Sequence, residues 1–214
     1  MSTRRVAAVL LLLLAVLVSA AVACRVGVRT VATRGAASAP GPVDIGFAQS
    51  MRSHHDQAIV MTKILLDGGH TQLAGLARAI QTTQLIEIGE MKGWLLLWRK
   101  PLLPASTGMN WMLLGTTPPD ASLTRYLSDC RNSPGGMPGL ATRDELERLR
   151  QLDGDARDRL FLQLMSRHHE GGLPMAQFAA RNAETAVVRT FAAEMAMQQM
   201  QEVATMALLR QRLH

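Results

Sequence analysis

The sequence predicts an all-α protein, a four-helix bundle assembled from two duplicated helical hairpins. Three observations predict it. Leu, Ala and Met dominate the apolar set and the chain carries 13 Met, whereas Val and Ile, the strand formers, are few. Apolar residues recur at helical spacing on both sides of a Pro/Gly-rich middle. Most directly, the chain repeats itself. Asp44, Phe47, Met51, His54, His55 and Met61 map onto Asp158, Phe161, Met165, His168, His169 and Met175 at a constant offset of 114. Gln84, Glu87 and Met91 then map onto Gln199, Glu202 and Met206 at an offset of 115.

Each element follows in order. Residues 1–24 open with a short basic stretch and continue as an 18-residue apolar run, residues 6–23, with five consecutive Leu. This is the pattern of a secretory signal or a membrane anchor. Ala21-Val22-Ala23 before Cys24 leaves three readings open: plain cleavage, lipoprotein processing at Cys24, or retention as a single-pass anchor. All three put the remainder outside the cytoplasm. Residues 25–42, rich in Ala, Gly, Ser and Pro, read as a flexible tether.

The domain proper spans residues 43–214. Repeat 1 covers about residues 43–98, with one helix over 43–66 and a second over 71–98. Gly68-Gly69 stops the first, and Pro101 and Pro104 end the second. Residues 99–152 form the linker. Its first part is expected to be irregular, with one helical turn near residues 122–127, because Pro118-Pro119, Pro134-Gly135-Gly136 and Pro138-Gly139 interrupt it. Thr142 and Glu145 have capping-box spacing and open a short helix to about residue 152. Repeat 2, about residues 153–212, supplies one helix to residue 182 and another over 183–212. Gly171, Gly172 and Pro174 stand where repeat 1 has Gln57, Ala58 and Val60, so a kink is expected just after His168-His169.

Charge excludes one class of function. The formal balance of +6 includes Arg4 and Arg5 of the targeting segment. No Lys/Arg stripe with interleaved aromatics is present, and nucleic acid is not an expected partner. Of the two cysteines only Cys130 lies in the domain, where a buried or idle thiol is the expected role.

The repeated residues are soft and borderline metal donors. On helices, residues three, four and seven apart share a face. Met51, His54, His55, Met61 and Met91 of repeat 1, and Met165, His168, His169, Met175 and Met206 of repeat 2, are the candidate metal ligands. Glu87 and Glu202 join them, either on the metal or holding an imidazole by its free N–H. Adjacent residues point about 100° apart on a helix, so one His of each pair is expected to face inward and the other to sit at a groove edge. Asp56 and Glu170 are expected to face solvent, and Met91, Met195, Met197 and Met200 also read as core filler. Thioether suits Cu(I) and imidazole suits Cu(II), Zn and Ni, which puts copper first as the cofactor. A di-iron carboxylate site needs Glu three residues before His on two helices, and no His here has one. No nucleophile elbow, phosphate loop, His-Glu-x-x-His or Cys-x-x-Cys is present, and no enzyme activity is expected.

The pattern Asp-x-x-Phe, Met-x-x-His-His and Met, then Gln-x-x-Glu-Ile/Val-x-x-Met, resembles the bacterial family known as domain of unknown function 305. It is filled twice, by residues 44–91 and 158–206. Residues 137–146 are also similar to the segment between that family's repeats. The resemblance implies a ferritin-like helical fold outside the cytoplasm and, from some members, copper binding and copper resistance. Two functional readings follow. One is a membrane-tethered copper-binding or sequestering protein, with a copper donor or acceptor protein or a second copy of itself as partner. The other is a metal-free structural or interaction module whose His, Gln and Glu form a buried polar network fixing helix register.

Overall fold

The structure is a computed structural model, and it describes residues 39–105, 108–133 and 136–213. The segment read as a signal or anchor, and most of the tether, lie outside the described residues. Among the described residues no helix is long and apolar enough to cross a membrane.

All regular structure described is helical. Helix α1 spans Pro42–Asp67 and α2 spans Ala74–Leu97. A 3₁₀ turn at Asn110–Leu113 and helices α3 (Ala121–Asn132) and α4 (Arg143–Gln151) lie in the linker. Helices α5 (Gly154–Asn182) and α6 (Ala186–Arg212) form the second hairpin. Pro42 opens α1 at the position where its missing N–H costs nothing, and Asp44 accepts from the Gly41 N–H at 2.8 Å. Past the end of α2, Arg99 takes a left-handed φ of 55°, a helix-stopping conformation just ahead of Pro101. The Thr142/Glu145 capping box forms as the sequence predicts, with reciprocal bonds of 2.8 and 3.2 Å.

One expectation is corrected. The middle of the chain is more ordered than one helical turn: α3 runs for 12 residues. Asp120 caps it by accepting from the Leu123 N–H at 2.8 Å, and Tyr126, Leu127 and Cys130 are its buried face. Helix α5 carries Pro174 in its interior and runs on to Asn182.

The hairpins join through their first helices, with α1 packed on α2, α5 on α6 and α1 on α5. Hydrogen bonds between repeats fix this arrangement. Asp44 accepts from the Thr185 hydroxyl at 2.6 Å and its N–H at 3.1 Å, in the turn between α5 and α6. Its counterpart Asp158 accepts from the Thr71 hydroxyl at 2.6 Å and the Gln72 N–H at 3.1 Å, in the turn between α1 and α2. The start of each hairpin thus pins the turn of the other. Buried Arg157 reinforces one of these turns through the carbonyls of Gly68 and His70.

The apolar interior divides into two clusters. One holds Val43, Phe47, Met51, Met91, Leu95, Met175 and Val188, closed by Trp111 and Tyr126 from the linker. The other holds Met61, Leu65, Leu73, Ile80, Phe161, Met165 and Met206. Burying each such side chain is worth roughly 1.5–3 kcal/mol, so both clusters weigh heavily in stability. Between the clusters lies a buried polar layer, with His54 and His55 on α1, Gln84 and Glu87 on α2, His168 and His169 on α5, and Gln199 on α6.

Candidate metal centre

All four histidines of the repeated motif are fully buried. The expectation that one of each pair would lie at a groove edge is therefore corrected. On α1, His54 turns toward α5 and His55 toward α2; on α5, His168 turns toward α1 and His169 toward α6. Both directions are interior because each first helix is covered on two sides.

His54 and His168 meet at the interface of the repeats, ring centroids 3.8 Å apart and planes 31° from parallel. These two residues are equivalent under the 114-residue offset, so the pseudo-two-fold relation passes between them. His55 Nε2 lies 2.8 Å from the Glu87 carboxylate, and His169 Nε2 lies 2.5 Å from that of Glu202. His168 Nε2 lies 2.9 Å from the His54 backbone carbonyl.

These partners decide the protons. A carbonyl or an ionised carboxylate only accepts, so Nε2 of His55, His168 and His169 is the donor. In the neutral ring the lone pair then sits on Nδ1. None of these three Nδ1 atoms has a hydrogen-bond partner, and on His54 neither ring nitrogen has one. Burial, reinforced by the neighbouring His55 and His169, pushes His54 down to about 3. The Pro138 backbone opposes this slightly, beside the ring but outside hydrogen-bond geometry. Burial likewise holds His168 well below the usual histidine range, with His54 and His169 adding to it. Both rings are neutral at physiological pH, the state in which imidazole can ligate.

The buried amides complete the polar layer. Gln84 has no partner for either side-chain atom, and Gln199 has none for Oε1. Buried polar groups are ordinarily satisfied, and these unpaired atoms concentrate between the two apolar clusters.

The six methionines divide three and three. Met51, Met91 and Met175 lie in one apolar cluster, and Met165, Met206 and Met61 in the other. The repeat offset exchanges these sets residue for residue, so each mixes methionines of both repeats above or below the histidine layer. Among the described residues no group of three or more His, Cys, Asp and Glu could hold a metal ion. A set restricted to those types is thus not assembled. What the buried layer offers instead is individual imidazole lone pairs with thioether groups in the flanking clusters.

Other expectations resolve individually. Asp56 and Glu170 are exposed as expected. Met91 and Met195 are core, but Met197 and Met200 are about half exposed and are not core filler. Cys130 is a free, buried thiol, which burial pushes up to about 11. Sequence reasoning passed over Thr71 and Thr185, the partners of the two repeated aspartates. Their own spacing of 114 was available as a signal. The glycines at 139 and 171 were likewise missed as a packing pair: Gly139 has φ +86°, and a Cβ on Gly171 would come 2.1 Å from the Pro138 carbonyl oxygen.

Comparison with known proteins bears on the family and on the all-helical fold. The family model described as "Domain of unknown function (DUF305)" matches residues 44–210. A search of the curated proteins gives no match. Among solved structures, a DUF305 protein of Streptomyces coelicolor, named as a candidate secreted protein, is 33% identical with a TM-score of 0.68, covering 80% of this chain and 93% of that one. A DUF305 fragment from Deinococcus radiodurans has 24% identity and a TM-score of 0.61, covering 81% and 98%, and supports the fold alone. CopM in its Cu(II)-bound form is 26% identical with a TM-score of 0.58, covering 80% of this chain and 97% of CopM. Its Cu(I)-bound form gives a TM-score of 0.57. The match over residues 44–210, carrying both copies of the histidine motif, assigns the chain to its family: it belongs to DUF305.

Proposed function

We propose that the protein is an extracytoplasmic copper-binding protein that sequesters or hands on the ion through the Met and His residues of its duplicated motif, without catalysing a reaction. The observation that carries this reading is the state of the imidazoles. His55, His168 and His169 each have Nε2–H tied to a carboxylate or a carbonyl while Nδ1, buried, has no partner. Metal-ligating histidines are ordinarily held this way, with the second-ring N–H donated to an outer acceptor that fixes tautomer and orientation. Glu87 and Glu202 then orient ligands rather than touch the metal. Copper fits the donor chemistry, because imidazole and thioether together suit Cu(I) and Cu(II) better than the hard cations, and CopM has been solved with both ions. Bound copper would supply the positive charge that the orphaned lone pairs lack.

The four long helices are read as a ferritin-like bundle, and the apolar segment at residues 6–23 as its signal or anchor. The Streptomyces relative, named as a candidate secreted protein, is consistent with an address outside the cytoplasm. A metal-free polar network is the competing reading. It accounts for the His–Glu pairs but not for the orphaned nitrogens, since a structural network is stable only when its members are satisfied.

Titration of the full chain with copper under reducing and oxidising conditions, beside His54→Ala/His168→Ala, tests the proposal. Stoichiometric binding that the double variant loses, with its helical content intact, is the expected result. A wild-type protein binding copper no better than free imidazole would end the metal reading.

A further inference from the structure

Leu97, the last residue of α2, is 78% exposed, and Leu96 and Leu103 are 64% and 60% exposed. The fold does not demand leucines in water there. The repeat offset of 115 sets Gln211 and Arg212, both exposed, at the places of Leu96 and Leu97. Arg99 and Lys100 are exposed among these leucines, and no acidic residue occurs between Glu90 and Asp120. Trp94 and Trp98, stacked with ring centroids 6.1 Å apart, are only partly buried in the same stretch. Residues 94–103 thus join exposed Leu, half-buried Trp and two cations, the composition that settles at a membrane–water interface.

The place of this corner in the fold points to its partner. Val43, at the start of α1, packs in the same apolar cluster as Leu95, and Gln49 donates to the Pro101 carbonyl at 2.7 Å. The end of α2 therefore lies at the end of the bundle where the chain enters α1. The sequence that leads in there carries the apolar run of residues 6–23. We propose that Leu96, Leu97, Arg99, Lys100 and Leu103 form a docking surface for an anionic lipid bilayer, seating the bundle with its α1 entry end against the membrane. The leucines enter the headgroup boundary, the cations meet lipid phosphates, and the Trp rings take the interfacial level. A second copy of the chain fits this corner worse. A two-fold contact sets the patch against itself, so Arg99 and Lys100 would face their own copies with no acid in the stretch to meet them. The surface goes beyond an N-terminal anchor, which would hold the bundle near a membrane without orienting it, and it is independent of the metal reading.

Amide hydrogen exchange of the full chain tests the surface separately from the N-terminal segment, on vesicles of phosphatidylcholine alone and of phosphatidylcholine mixed with phosphatidylglycerol. Exchange at residues 96–103 is expected to slow on the mixed vesicles relative to phosphatidylcholine alone. Arg99→Glu/Lys100→Glu and Leu96→Ser/Leu97→Ser each lose that slowing, while exchange in the buried parts of α1 and α5 stays as in the wild type. Wild-type exchange at residues 96–103 that is the same on both kinds of vesicle overturns the proposal. So does slowing that survives Arg99→Glu/Lys100→Glu. Slowing that needs no lipid and grows with protein concentration overturns it in favour of a contact between copies.

Discussion

His54 and His168 occupy equivalent places in the two repeats and lie in ring contact, 3.8 Å between centroids, with no charge on either. Two neutral, buried imidazoles against each other contribute little as a packing unit compared with a pair of leucines, and they bring unpartnered nitrogens into the interior. If the site serves metal, replacing both with Leu stabilises the metal-free protein or leaves it unchanged, while abolishing copper binding. Chemical denaturation and copper titration of the same double variant check both halves of this prediction. A large loss of metal-free stability would favour the polar-network reading.

The aspartate–threonine pins are a structural prediction independent of metal. Thr185→Val removes a hydroxyl donor from buried Asp44, and Thr71→Val does the same to Asp158. Each is expected to cost about 1–3 kcal/mol, because a buried acceptor is left short of a partner. Urea denaturation measures it. Asp44→Asn/Thr185→Val should be markedly less destabilising than the sum of its single variants.

Glycine substitutions on α5 separate a backbone clash from a side-chain contact. Gly171→Ala drives a Cβ to 2.1 Å from the Pro138 oxygen and must displace the linker. It should lower stability by about 1–3 kcal/mol, as overpacking does. Gly172→Ala meets side-chain atoms first, Gln199 Oε1 and His54 Cε1 at 3.1 Å, and removes a helix-interior glycine, so its change stays within about 1 kcal/mol. Thermal melts of the two variants compare them directly.

The Glu145–Arg167 pair predicts a pH dependence. Arg167, with the Thr142 cap, holds the Glu145 carboxyl at about 2, below its ordinary 4.5. The folded value is the lower one, so the stabilisation is complete above 4.5 and is lost as pH falls toward about 2. The stability difference between wild type and Glu145→Gln should shrink across that window. Both partners are partly exposed, so added salt should reduce the difference at neutral pH.

Cys130 should be inert. Its thiol is buried and titrates near 11, so alkylation at pH 8 should proceed far more slowly in the folded protein than in urea.

Much of this was legible in the sequence. The offsets of 114 and then 115 between copies located the hairpins, the histidines and the outer glutamates, because a duplication repeats whatever each half must supply. The direction of individual side chains was not legible. The inward/edge assignment of each His pair assumed a helix buried on one side, whereas α1 and α5 are covered on two. The helix at Ala121–Asn132 was hidden by flanking prolines and glycines, and its buried face is visible only once Tyr126 is seen reaching the Gly171 carbonyl at 3.0 Å. Helix α5 survives Pro174 as a continuous element.

The most direct test of the central claim is the ¹⁵N NMR of the histidine rings in the full chain, before and after addition of Cu(I), which is diamagnetic. The account predicts that, among the motif histidines, Nδ1 resonances shift on binding while Nε2 of His55 and His169 stays protonated and bonded to its glutamate. Copper that leaves all four Nδ1 resonances in place would contradict it, and would show that the buried histidines are not the ligands.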